Sequence, residues 1–159
     1  VRHLEPDDYE GLQVLMSQPR VIHGTLQLPL PSKELWRQRT NNPLSGHYRL
    51  VAEFEGQIIG NIGLHPERDR PRRRHVAAIG MCVHDDYQGK GVGRRLMESV
   101  VDIADNWLNV ARLELTVFSD NESAIRLYER MGFEREGLMR RYAYRDGAYV
   151  DALSMARLR

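Results

Sequence analysis

One cysteine, Cys82, occurs in 159 residues, so an intrachain disulfide is excluded and stability must come from a packed core. Cys82 lies in the apolar run Ala77-Ala78-Ile79-Gly80-Met81-Cys82-Val83, where a thiol packs as a small hydrophobe rather than serving as a nucleophile. No apolar run approaches the roughly 20 residues that span a bilayer. No basic segment leading into an apolar run opens the sequence, so no secretory signal is read there. The expectation is a cytoplasmic protein with no membrane partner. Net charge is scarce too: 23 Lys and Arg face 22 Asp and Glu, for +1 overall, which gives no global pull toward nucleic acid. The cluster Arg68, Arg70, Arg72, Arg73 and Arg74 is a local exception. It has no interleaved aromatic residues, so a solvated loop or contact with an anionic small molecule is expected rather than a nucleic-acid surface. Internal repeats, low-complexity tracts and linkers are missing, and the length gives room for one compact domain over residues 1–159.

What is present alternates between the two regular periods. A short strand at Val1 to Leu4 leads to Pro6, which suits the first turn of a helix, with Asp7 and Asp8 near its positive end. Leu12, Leu15 and Met16 give that helix a buried stripe, and it is expected to stop before Pro19. Pro29 and Pro31 break regular structure, and Ser32 caps a second short helix carrying Leu35 and Trp36. Strands follow at Tyr48 to Phe54 and Gln57 to Leu64, around the turn Glu55-Gly56. A fourth strand spans about Val76 to Val83. A long helix runs from about Gly91 to Leu108, with Leu96, Val100, Ile103 and Trp107 on its buried side. Then come a strand at Arg112 to Phe118 and a helix at Asn121 to Met131 stopped by Gly132. Two strands, Phe133 to Tyr144 and Ala148 to Leu158, turn at Arg145-Asp146-Gly147. This order predicts an α/β fold with a mixed sheet and helices on both faces.

The sharpest local feature is Gln88-Gly89-Lys90-Gly91-Val92-Gly93, between an apolar strand and the long helix. Alternate glycines let the backbone turn tightly and bring N–H groups against a ligand. With the helix's positive end behind them, those groups suit a pyrophosphate, and Lys90 and Arg94 add charge. The pattern is neither a Walker loop nor Gly-x-Gly-x-x-Gly, because Gly89, Gly91 and Gly93 are spaced evenly by two.

The turn resembles the coenzyme-A-binding signature of the GNAT superfamily of N-acetyltransferases, Gln/Arg-x-x-Gly-x-Gly/Ala, through Gln88, Gly91 and Gly93. A second signature stands downstream, Asn121-x-x-Ala124-x-x-Leu127-Tyr128-x-x-x-Gly132-Phe133. Leu26-Gln27, the Arg70–Arg73 loop, Asp105-Asn106-Trp107-Leu108, Glu114–Phe118 and Tyr149-Val150-Asp151-Ala152 extend the likeness to bacterial L-amino-acid N-acetyltransferases. The resemblance implies a mostly antiparallel sheet splayed between its fourth and fifth strands. It also implies acetyl-CoA as cosubstrate, no metal, a small-molecule amine as acceptor, and a homodimer. On it, Met81, Cys82 and Val83 pair with the pantetheine, and Gln88, Gly89, Lys90, Gly91, Val92, Gly93 and Arg94 cradle the pyrophosphate. Asn121 reaches the pantetheine, and Tyr128 sits by the thioester sulfur.

A phenol near pKa 10 gives its proton reluctantly to a thiolate near 8.5, a mismatch of roughly 2 kcal/mol. Tyr128 is therefore expected to stabilise the leaving group by hydrogen bonding. A general base is not evident: Ala77 to Val83 holds no acid, which leaves Glu114, His65, His75 and His84. Its absence mildly favours α-amines over lysine side chains: a peptide-like α-amine is about one-tenth neutral at pH 7 and a lysine only about once in several thousand, with a free amino acid between them. Arg72, Arg73 or Arg74 is expected to grip a substrate carboxylate or the coenzyme's phosphates. Protein N-terminal or polyamine acetylation, and a non-catalytic acyl-CoA-binding module, are the competing readings.

Overall fold

The computed structural model describes residues 1–42 and 46–159. Seven strands form one sheet in the order β1 (Arg2–His3), β2 (Tyr48–Phe54), β3 (Gln57–Pro66), β4 (Val76–Val83), β5 (Arg112–Phe118), β7 (Ala148–Leu158) and β6 (Glu134–Arg145). Every neighbouring pair is antiparallel except β4 and β5. The β2–β3 turn is made by Glu55 (φ 49) and Gly56 (φ 76), two left-handed residues whose twist suits a two-residue hairpin. Asp146 (φ 51) and Gly147 (φ 80) close β6 onto β7 in the same way.

The parallel pair sets up everything that follows. Val76, Ala77 and Ala78 pair with Arg112, Leu113 and Glu114, and there the ladder stops. Beyond that point β4 stays bonded to β3 through Ile79–Val83, and β5 to β7 through Leu115–Phe118. Each strand thus keeps one ladder and turns the N–H and C=O groups of its other edge toward the gap, where a ligand with an amide backbone of its own can meet them.

Helices cover both faces. On one, α4 (Val92–Asp102) and α5 (Glu122–Arg130) bury Leu96, Met97, Val100, Ile125 and Tyr128 against Ile62, Leu64, Ile79, Leu113, Leu115 and Val117. A Cβ on Gly60 would lie 2.9 Å from Leu96 Cδ1 and 3.3 Å from the Cys82 carbonyl oxygen, so glycine there sets how closely α4 approaches the sheet. On the other face, α1 (Tyr9–Met16), α2 (Pro19–Gly24) and α3 (Lys33–Asn41) pack Leu12, Leu15, Met16, Val21 and Trp36 against Val51, Ile58 and Cys82. Ser32 accepts the Leu35 N–H at 3.3 Å, the expected cap of α3.

Two elements differ from expectation. Pro19 does not only end α1; it is the first residue of α2, where its fixed φ and missing N–H are at no disadvantage. The long helix changes to a π-helical turn, Ile103–Trp107. The wider turn breaks the 3.6-residue phase, burying Ala104 completely and leaving Trp107 78 % exposed instead of on the buried side. Asp105 on this turn is held at 2.7 Å by Arg157 of β7. Of the two apolar residues that α3 carries, Leu35 is exposed while Trp36 is buried. No described helix is long and apolar enough to cross a membrane.

Candidate active site

Where β4 and β5 part, a cleft of about 1180 Å³ opens between the two layers of helices. Ile79–Val83 form one wall and Thr116–Phe118 the other, continued by Asn121, Ala124, Leu127, Tyr128 and Met131. Residues of α2 and its exit, Arg20, Val21, His23, Gly24, Thr25 and Leu26, close one side. Of the expected strand residues, Met81, Cys82 and Val83 all line the cleft. Cys82 lies with its Sγ 3.9 Å from Met16 Sδ, and burial pushes its thiol up to about 12, so it stays protonated and unreactive.

At the cleft's end the glycine turn is bent by Gly89 (φ 74) and Gly91 (φ 86), a left-handed region open to glycine at little cost. Among the described residues, no backbone acceptor is found for the N–H groups of residues 89–94, and α4's first bond is Arg95 N–H to Gly91 O. The Gln88 side chain braces the turn by donating to the Val83 carbonyl at 3.1 Å. Gln88, Gly89, Gly91, Gly93 and Arg94 border the cleft. A Cβ on Gly93 would stand 3.2 Å from Leu127, so this glycine lets α4 and α5 meet. Lys90 and Val92 are not among the lining residues. Lys90 holds its ammonium 5.3 Å from the Tyr87 ring centroid, and Val92 packs against the core.

Asn121 caps α5: its Oδ1 accepts from Ala124 N–H at 3.2 Å and from Ser123 Oγ at 3.1 Å. The amide nitrogen is left facing Gly24, whose Cβ would lie 3.6 Å away. Tyr128 is 7 % exposed, with its ring 6.0 Å from that of Phe133. Burial, and then the neighbouring Cys82, push its phenol up to about 12. It remains a donor through the ordinary pH range.

The arginine loop lies elsewhere. Arg73 donates to Glu67 at 2.8 Å and to Glu114 at 2.7 Å, and Arg72, Arg73 and Arg74 do not line the cleft. The cleft's cations are Arg20, Arg94, Arg126, Arg130 and Arg145. Arg126 and Arg130 stand one turn apart on the outer side of α5, a spacing visible in the sequence once that helix is placed. Arg145 depends on the β6–β7 hairpin folding over β5, which no local signal announces. Its guanidinium stacks on Phe118 at 5.1 Å, pairs with Asp120 and donates to the His23 carbonyl at 3.0 Å.

The candidate bases separate on geometry. Glu114 is taken by Arg73 and by Arg112, the latter at 2.9 Å. His75 is exposed at the entry to β4. His84 is buried, and its Nδ1 accepts the Asp86 N–H at 3.2 Å. His65 makes an Nδ1 to Nδ1 contact of 2.9 Å with His47.

A strand pair opened at its C-terminal end, a bare N–H cradle at the start of the following helix, and a capped second helix with a tyrosine at the gap define an acyl-coenzyme-A transferase fold. The chain belongs to the acetyltransferase (GNAT) family, whose model matches residues 12–133. It is 44% identical over 160 residues, covering 100% of this chain and 97% of the other, to the L-amino acid N-acetyltransferase AaaT of Escherichia coli (strain K12). It is 33% identical to the spermidine N(1)-acetyltransferase of the same organism over 107 residues, 67% of this chain and 56% of that one. Among solved structures, a GNAT acetyltransferase from Streptococcus pneumoniae superposes with a TM-score of 0.85 at 27% identity, covering 99% and 96% of the two chains. A phosphinothricin acetyltransferase from Sinorhizobium meliloti, solved with acetyl-CoA, gives 0.84 at 24% identity, covering 99% and 86%. The protein is an acetyl-CoA-dependent N-acetyltransferase.

Proposed function

We propose that the protein transfers an acetyl group from acetyl-CoA to the α-amine of an L-amino acid, by direct attack with both substrates held together. The observation that carries this reading is the cleft itself, which is lined both by the donor cradle of the glycine turn and by Arg145 beside Asp120. The whole-length likeness to an L-amino acid N-acetyltransferase supports it. The rim is rich in arginine, which is unfavourable for a polycationic acceptor and favourable for one bearing a carboxylate.

Acetyl-CoA supplies the activated acyl group as a thioester. The N–H groups of residues 89–94, with the end of α4 behind them, hold the pyrophosphate; Arg94, Arg126 and Arg130 add charge around it. The free edge of Met81–Val83 pairs with the pantetheine amides, and Asn121 offers its amide nitrogen from the facing side. Arg145 holds the acceptor's carboxylate. As the C–S bond breaks, negative charge grows on sulfur, and the Tyr128 hydroxyl stabilises it by hydrogen bonding rather than by complete proton transfer. A phenol at about 12 is a poorer acid than a free one, which strengthens that assignment.

The reaction is tested by thiol detection of CoA release with the twenty L-amino acids, a short peptide and spermidine. Release with some free amino acids establishes the reading. Release only with the peptide or spermidine replaces it with those acceptors.

A further inference from the structure

The reaction above lacks a group to take the acceptor's ammonium proton, and the structure assigns one. On the sheet face covered by α1, α2 and α3, β3 and β4 place Gly63 opposite Gly80 and His65 opposite Ala78. The His65 ring leans over Gly63: a Cβ there would lie 2.5 Å from His65 Nε2 and 2.7 Å from its Cε1. Directly paired residues direct their Cβ positions about 5 Å apart, so Nε2 stands roughly one side chain's width from the space above Gly80. Gly80 is exposed, has nothing within 4 Å of its Cβ position, and lines the main cleft. His65 itself lines a second hollow with His47 and Ala78 and not the main cleft. Ala78 and Gly80, two residues apart on the same face of β4, are where the two cavities come nearest, just past the last β4–β5 pairing.

The ring is oriented by its other nitrogen. His65 Nδ1 contacts His47 Nδ1 at 2.9 Å, and two bare lone pairs cannot make that contact, so one ring carries its proton there. Among the described residues nothing bonds Nε2. We propose that His65 Nε2 is the proton acceptor for the incoming amine, directly or through one water, with His47 holding the ring in the tautomer that carries hydrogen on Nδ1. This rests on the N-acetyltransferase reading and deepens it.

The step balances simply. An ammonium N–H bond breaks, its electron pair stays on nitrogen, and the proton moves to Nε2. The freed amine attacks the thioester carbonyl; the C–N bond forms and the C–S bond breaks. The second nitrogen proton leaves with the thiol, beside Tyr128, and the imidazolium returns its proton to water.

The surroundings favour the neutral His65 ring, with Nε2 unprotonated, before substrate arrives. Burial first, then His47 and Arg49, hold the imidazole below its ordinary range. Glu67, Arg68, Asp69 and Arg70 border the same hollow from the loop after β3, and Glu114 occupies the next strand in the same row as Ala78 but is bonded to Arg73 and Arg112. Glu67 is likewise held by Arg73. The Asp69 carboxylate also borders the hollow, but the groups that shift the ring all lower it.

The test compares wild type, His65→Ala, His65→Gln and His47→Ala across pH 6–9.5. The acceptors are a free amino acid and its dipeptide, whose amine is about one unit or more less basic. Acetyl-CoA affinity, by titration calorimetry, should be unchanged. At pH 7 both His65 variants should lose about 100-fold in kcat/KM. The loss should shrink as pH nears the amine's own pKa, be smaller for the dipeptide, and be partly restored by added imidazole. His47→Ala should lower kcat more than it raises KM. Nitrogen-resolved spectra of the free protein should show hydrogen on His65 Nδ1. An active wild type whose pH profile survives His65→Ala, or hydrogen on Nε2 instead, overturns the role alone. A wild type that binds acetyl-CoA but acetylates neither amine overturns the amine reading and this role together.

Discussion

At the residue scale, two side chains with proposed roles toward the substrates, Tyr128 and Arg145, sit in opposite kinds of environment. Tyr128 is enclosed, and burial pushes its phenol up to about 12, which suits it to act as a neutral donor. Tyr128→Phe should therefore lower kcat by about 100-fold, the scale of one lost donor to a developing anion. Acetyl-CoA binding, followed by calorimetry, should change little, because the hydroxyl matters most once charge has formed. Arg145 sits at the mouth, with its charge matched by Asp120. Arg145→Gln should raise KM for an amino acid about tenfold, the scale of a lost hydrogen bond to a charged group. The same change should leave a decarboxylated amine unaffected. Equal losses on both acceptors would show that Arg145 only ties the hairpin to the His23 carbonyl.

At the element scale, the turn before α4 concentrates what local sequence can say. Gly91 holds φ 86 with open space around its Cβ position, so a methyl group there meets no neighbour and the penalty is conformational, about 1–2 kcal/mol. Gly91→Ala should relax the turn, misalign the cradle and weaken acetyl-CoA binding about tenfold by calorimetry, with a small fall in Tm. This element, the two hairpins and the Ser32 cap were legible because each is specified by residues adjacent in sequence. So was the opening between β4 and β5, through its resemblance to a known family. What escaped was set by distant contacts or by backbone irregularity. The π-turn at Ile103–Trp107 leaves the apolar spacing looking regular while moving Trp107 into water. Pro19 carries the same local signal whether it stops α1 or starts α2. Arg73 looks free in a run of arginines, but it is claimed by Glu67 and by Glu114, 41 residues away. His47 and His65 sit on either side of a hairpin, and only the β2–β3 register brings them together.

At the scale of the whole molecule, charge and pH act through ion pairs that join elements far apart in sequence. Arg2 ties β1 to the Pro6–Asp8 turn and to β2 through Asp8 and Glu53. Arg112 reaches across β7 from β5 to Glu136 on β6. The Arg2 and Arg112 guanidinium groups hold the Asp8 and Glu136 carboxyls below their usual range, as Arg145 does for Asp120. Depressed carboxyls stabilise the folded chain above their unfolded pKa of about 4, and that contribution disappears as pH falls through the lower folded values. His65 is depressed as well, so it contributes in the same direction but in a higher window. Its share is complete above the unfolded value of about 6.5 and is lost as pH falls through its folded one, because the unfolded chain binds the proton first. Calorimetric Tm should thus decline in two stages on acidification, one beginning near pH 6.5 and a second below about 4. His65→Asn should flatten the first stage and leave the second. Added salt should weaken the second more than the first, since the exposed pairs are screened and the buried imidazole is not. A first stage that persists in His65→Asn would assign it to another histidine and remove the physical basis for a neutral His65 ring with an unprotonated Nε2.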